Sequence, residues 1–101
     1  KEGLIRDFLD MEIPKNWDQT DIQGRRMYLN GGARKEEVLV PREKVCALEI
    51  WTECFGGDPK YMKRADTTEI NNILLGIPGW HRNKSVRRYG PYGTQKGFER
   101  V

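Results

Sequence analysis

The chain has 101 residues, of which 37% are apolar and 33% charged, with a formal net charge of +3. That length suits one small domain with a modest core, and the composition is too apolar for a disordered tail. No apolar run approaches the roughly 20 residues that a membrane-spanning helix needs, no signal-peptide pattern opens the chain, and the initial Lys predicts a fragment of something longer.

In chain order, Leu4, Ile5, Phe8 and Leu9 recur at helical spacing, which predicts a helix over Gly3 to Ile13 stopped by Pro14. A second helix is predicted over Ile22 to Leu29. Asp21 or Thr20 would cap it, and Asn30-Gly31-Gly32 would end it with residues that tolerate positive φ. Ala33 to Glu37 is expected to be a polar loop. Val38-Leu39-Val40 suits a short strand. Pro41 fits the first turn of a third helix, with Glu43 near its N-terminus. Val45, Leu48, Trp51 and Phe55 supply its apolar stripe, and Gly56-Gly57 close it. Trp51 is expected in the core.

A connector from Asp58 to Arg64 follows, with a helical turn expected at Lys60 to Lys63. Asp66-Thr67-Thr68-Glu69 matches a capping box, Asp66 as N-cap and Glu69 reaching back. Ile70, Ile73, Leu74 and Ile77 then repeat at i, i+3, i+4 and i+7, one buried face of a helix from Thr67 to Ile77. Thr68, Asn71, Asn72 and Leu75 are left on or near its open face. Beyond Trp80, Ser85 to Tyr89 and Thr94 to Val101 read as two strands around a Gly90-Pro91-Tyr92-Gly93 turn. Phe98 is expected to pin this hairpin to the core, and Tyr92 to be exposed at its tip. The order predicts a mainly α chain with a small β component. It is winged-helix-like: a helix-turn-helix unit with a C-terminal β-hairpin, preceded by short helices. Residues 1–37 form a helical prelude, and 38–101 the winged-helix-like domain.

Charge is unevenly spread. From Lys1 to Gly57 acids slightly outnumber bases, whereas His81 to Val101 carries Arg82, Lys84, Arg87, Arg88, Lys96 and Arg100 against Glu99 alone. Cations interleaved with Tyr89, Tyr92 and Phe98 suit phosphate neutralisation and stacking. In helix-turn-helix proteins the second helix reads bases in the major groove, and Asn71 and Asn72 could pair with adenine edges. The nucleic-acid-binding set is therefore Thr68, Asn71, Asn72, Arg82, Lys84, Arg87, Arg88, Tyr92 and Lys96. Duplex and single strand both remain open.

Catalytic signals are weak. No GxxxxGK loop is present, so ATP binding by that route is excluded for this chain. Glu49 and Glu53, at i and i+4, read as a solvated or salt-bridged helix face. His81 reads as a surface or DNA-contact residue. Cys46 and Cys54, eight positions apart on the third helix, would lie about 12 Å apart, beyond the roughly 7 Å a disulfide spans. They are read as inert free thiols in a reducing, cytoplasmic compartment. With no CxxC and one His, no zinc site is expected, nor any cofactor or enzymatic activity in this chain.

The run Cys46-Ala47-Leu48-Glu49-Ile50-Trp51-Thr52-Glu53, then Phe55-Gly56-Gly57-Asp58, Ile77-Pro78-Gly79-Trp80, Arg87-Arg88-Tyr89-Gly90-Pro91-Tyr92-Gly93 and Gly97-Phe98, resembles the C-terminal region of the virulence-associated protein E family. Gly3-Leu4-Ile5-Arg6-Asp7-Phe8-Leu9, with Pro14 and Trp17, is similar to the segment before it. The resemblance covers nearly the whole chain and includes no catalytic motif. It implies a bacterial phage- or mobile-island-encoded replication protein whose helicase-type ATPase module lies upstream, with the prelude as the link to it and an oligomer possible in the full-length protein. It further implies that this tail is an accessory domain docking on origin DNA. The rival expectation is a protein-interaction or oligomerisation module, with Tyr92, Leu75 and the helix from Leu4 to Leu9 as its surface.

Overall fold

The computed structural model describes residues 1–31 and 38–101; the expected loop from Ala33 to Glu37, and Gly32 before it, lie outside the described residues. Among the described residues four α-helices and seven short strands follow one another. Helix α1 spans Glu2–Asp10, strand β1 Ile13–Pro14 and helix α2 Ile22–Leu29, with a 3-10 turn at Trp17–Gln19. Strands β2, Leu39–Val40, and β3, Lys44–Val45, lead into helix α3, Ala47–Glu49, which continues as a π-helical turn over Ile50–Cys54. A 3-10 turn at Pro59–Tyr61 precedes helix α4, Arg64–Leu75. The rest is β4, Trp80–Arg82, β5, Arg87–Arg88, a 3-10 turn at Gly90–Tyr92, β6, Thr94–Gln95, and β7, Phe98–Arg100.

The main sheet has three antiparallel strands in the order β3-β7-β4, so a strand ahead of the helix pair joins the outer side of the C-terminal hairpin. Helix pair, hairpin and this preceding strand together make the winged-helix-like arrangement, in a mainly α chain with a small β component. Ile5, Phe8 and Leu9 of α1 pack with Val45, Ala47, Ile50, Ile70, Leu74, Ile77, Trp80 and Phe98 in one core. The first helix therefore shares a core with the helix pair and the sheet. No helix among the described residues is long and apolar enough to cross a membrane.

Helix α2 keeps its expected bounds, and the Asp21 carboxylate accepts a hydrogen bond from the Gly24 N–H at 2.7 Å. The three other helices depart from expectation. Helix α1 ends at Asp10, ahead of Pro14, because Ile13 and Pro14 are drawn into pairing with Val40 and Leu39. The third helix starts at Ala47 and not at Pro41, because Lys44 and Val45 pair with Glu99 and Phe98 of β7. Cys46 is thus the extended residue ahead of that helix, and Cys54 its last π-helical residue. Both are free thiols. Burial pushes Cys46 up to about 12 and Cys54 up to about 11, which keeps both protonated and poorly reactive.

Helix α4 starts one turn early. Lys63 is its cap residue, and Asp66, at the third helical position, accepts from the Lys63 N–H at 3.0 Å. Asp66 therefore plays the part expected of Glu69, whose carboxylate instead pairs with Lys1 at 2.6 Å. A Lys side chain has no acceptor, so only one half of a capping box is made. Trp51 is half-buried against the core, and its indole N–H donates to the Asp58 carbonyl.

Candidate nucleic-acid interface

Helix α4 buries Ile70 and Leu74 and exposes Thr68 and Asn72, while Asn71 is half-buried. Thr68 and Asn72 line an open groove of about 880 Å³ whose other wall carries Lys1 and Glu2 of the α1 end. Asn71 does not line it. Within the groove Lys1 and Glu69 form an ion pair, and that pair raises the Lys1 ammonium above its ordinary value. Helix α4 packs directly on β4, so the base of the hairpin adjoins the helix.

The hairpin carries the cations. Arg82, Lys84, Arg88 and Lys96 are all exposed, and none has an ion-pair partner among the described residues. The Arg82 guanidinium lies over the Phe98 ring at 5.7 Å. Arg87 differs, because its Nε donates to Glu99 Oε1 at 3.2 Å. Arg87 and Arg88 are neighbours on a strand and so point to opposite faces. The two arginines of the expected contact set therefore differ, Arg87 paired with Glu99 and Arg88 without an ion-pair partner among the described residues.

Tyr92 requires a correction. It is 8% exposed and not an exposed residue at a hairpin tip. The tip folds inward onto the turn at Trp17–Gln19. The Tyr92 hydroxyl donates to Glu53 Oε2 at 2.6 Å, and Tyr89 is buried beside it. Burial, with the nearby Glu53 charge, holds the Tyr92 phenol well above the usual range, so it stays a donor at any physiological pH. Gly90 allows the approach. Its φ is +55°, and a Cβ there would lie 2.6 Å from an Arg25 nitrogen and 2.9 Å from the Asp18 carbonyl oxygen. Phe98, at 1% exposure, is in the core as expected.

Behind the tip lies a cluster that sequence reasoning missed. Arg25, fully buried, donates through Nη1 to Glu49 Oε2 at 2.7 Å and to Glu53 Oε2 at 2.8 Å. Its Nη2 donates to the Trp17 carbonyl at 2.8 Å, and its Nε to the Thr20 carbonyl at 3.2 Å. Arg42, also buried, reaches Glu49 Oε2 at 3.2 Å and stacks over the Phe8 ring at 4.2 Å. Of the two expected readings of Glu49 and Glu53, the salt-bridged face holds and the solvated one does not: both side chains are buried against guanidiniums. One signal was available: two acids four apart within an apolar stripe, with no basic residue at i±4 on their own helix, need a cation from elsewhere. Which cation answers them is a tertiary matter. Two guanidiniums balance two carboxylates, and the Tyr92 hydroxyl completes the cluster.

Among the described residues no group of three or more His, Cys, Asp and Glu side chains is placed to hold a metal ion. His81 is exposed on β4, opposite Glu99. No family model matches the chain, and no curated protein matches it either.

Proposed function

We propose that this chain is an accessory nucleic-acid-binding domain of a phage or mobile-element replicative helicase or initiator, docking on DNA through α4 and the basic hairpin. The single observation that carries the reading is four exposed hairpin cations, Arg82, Lys84, Arg88 and Lys96, with no ion-pair partner among the described residues. Such cations neutralise phosphates and release counterions. Thr68 and Asn72, exposed on the adjoining helix, are the side chains available for base edges. Tyr92 is withdrawn from the contact set. The likeness of the Glu49-Ile50-Trp51 and Arg87-to-Gly93 runs to the virulence-associated protein E family supplies the replication setting. In that setting the ATPase and any oligomer belong to the parent protein.

Fluorescence anisotropy against duplex and single-stranded DNA over a salt series tests the reading. Four phosphate contacts would give a log–log slope of about −3 to −4, and Lys84→Ala with Arg88→Ala should flatten it by about 2. Absence of salt-sensitive binding at low ionic strength would sink the proposal.

The interaction-module reading keeps one specific support, the exposure of Leu4 at 60% and Leu75 at 54%. Its other apolar members are lost to the interior, since Ile5, Phe8, Leu9 and Tyr92 are buried, although Arg6 and Asp7 stay exposed. Sedimentation of the chain with and without Leu4→Ser and Leu75→Ser decides it: an unchanged mass in both counts against this reading.

A further inference from the structure

The two halves of the hairpin do not match in length. Arg82 pairs with Phe98, and Arg87 with Gln95. Between those pairs Asn83 to Val86 stand opposite only Lys96 and Gly97, so the strand carries two extra residues as a bulge. Asn83 anchors one end, buried, with its N–H donating to the Gly97 carbonyl at 2.9 Å. Lys84, Ser85 and Val86 are exposed. The other end is held by Arg87. Its guanidinium donates to Ser85 Oγ at 2.8 Å and to the Val86 carbonyl at 3.2 Å, and its Nε meets Glu99 Oε1 of β7 at 3.2 Å. One planar fork thus ties the bulge to the neighbouring strand. With the tip folded inward, the bulge is the part of the hairpin left to meet a partner.

We propose that the Asn83–Val86 bulge is the backbone-binding surface of the hairpin, that its partner is the phosphodiester backbone of nucleic acid met through Lys84 and Arg88, and that Arg87 is a positioning residue which braces it. This rests on the nucleic-acid reading above. It assigns Arg87 a role other than the phosphate contact expected from sequence. A guanidinium can serve three acceptors in one plane, whereas an ammonium on a flexible stem cannot hold the same fork.

The test uses the whole chain, a mixed-sequence duplex and a single strand of equal length, and anisotropy over a salt series. Circular dichroism melts confirm that each variant folds. Arg87→Lys keeps the charge and removes the fork. Bracing predicts that affinity for the preferred strand form falls about three- to tenfold, the scale of immobilising one or two side chains on binding, with the salt slope kept. Glu99→Gln removes a negative charge near the contact surface, which by general electrostatics would tighten binding. Bracing predicts the opposite sign, about two- to fivefold weaker, the scale of an exposed pair. Lys84→Ala should lower the slope by about 0.9. Either Arg87→Lys or Glu99→Gln binding as well as, or better than, the unaltered chain overturns the bracing role and leaves the nucleic-acid reading standing. An unaltered chain that binds neither strand form overturns both.

Discussion

Arg25 is the residue on which the hydrophilic interior turns. It is fully buried, with donors spent on two carboxylates and two backbone carbonyls. Truncating one partner of a buried ion pair leaves the others desolvated and uncompensated, typically at about 3–5 kcal/mol. Arg25→Ala is therefore expected to lose about that much in urea unfolding, a large part of the stability of a domain this size. A loss below 1 kcal/mol would mean that water reaches the cluster. Glu49 gives a pH signature. Burial raises its carboxyl above the ordinary range, Arg42 and Arg25 oppose that, and Glu53 adds to it. The folded state then holds the Glu49 proton more tightly than the unfolded chain. Stability from this group is fullest below the ordinary carboxylate value and falls as pH rises through the raised one. The unfolding free energy of the unaltered chain minus that of Glu49→Gln should fall as pH climbs across that window, since Gln stands in for the protonated carboxyl throughout. A rise in that quantity would reverse the assignment.

The element whose sequence was most misleading is the hairpin. The strand at Arg87–Arg88, the Gly/Pro turn and the pinning by Phe98 were legible from local signals. The strand at Trp80–Arg82 that pairs with β7 was not expected, and the single strand expected over Thr94 to Val101 is split into β6 and β7. The inward fold of the tip was not legible, because it depends on Arg25 and Asp18, more than sixty residues earlier. Gly90→Ala tests that docking. A Cβ in the left-handed region, pressed against a guanidinium and a carbonyl, is expected to cost more than about 1 kcal/mol, read as a lower unfolding midpoint. The same residue in a freely projecting tip would cost only the local strain. Tyr92→Phe removes one hydrogen bond to a carboxylate and should cost about 1.5–3 kcal/mol, also by urea unfolding. Helix α4 shows a subtler slip. Its apolar face was plain from Ile70 and Leu74, but its start was set by Asp66 bonding back to Lys63 and not forward.

At the scale of the molecule, the first helix and the sheet share one core. Ile5 is fully buried between elements far apart in sequence, so Ile5→Ala should cost about 2–5 kcal/mol through the cavity it leaves. A chain starting at residue 11 would lose Ile5, Phe8 and Leu9 together and is expected to be unfolded by circular dichroism. Retained cooperative melting of that shorter chain would show that the rest of the fold stands without α1. The charge asymmetry also belongs to this scale. Acids of the first half are partly consumed inside the fold, Glu49 and Glu53 among them, whereas Arg82, Lys84, Arg87, Arg88 and Lys96 stay outside and only Arg100 of the hairpin bases is part-buried.

What the sequence by itself determined was whatever neighbouring residues decide among themselves. The span of α2, the buried face of α4, the order of helix pair and hairpin, and the excess of positive charge after His81 all follow from spacing, capping and composition. Tertiary structure alone decided where a backbone segment finds its hydrogen-bond partner and where a charge finds its counter-charge. Lys44 and Val45 became strand because β7 was there to pair with them. Tyr92 turned inward because Glu53 was there to accept its hydrogen bond. Arg25 could be buried because two carboxylates and two carbonyls meet it from separate parts of the chain. Long-range pairing of this kind leaves no periodic trace along the chain, since each partner looks locally like an ordinary surface residue.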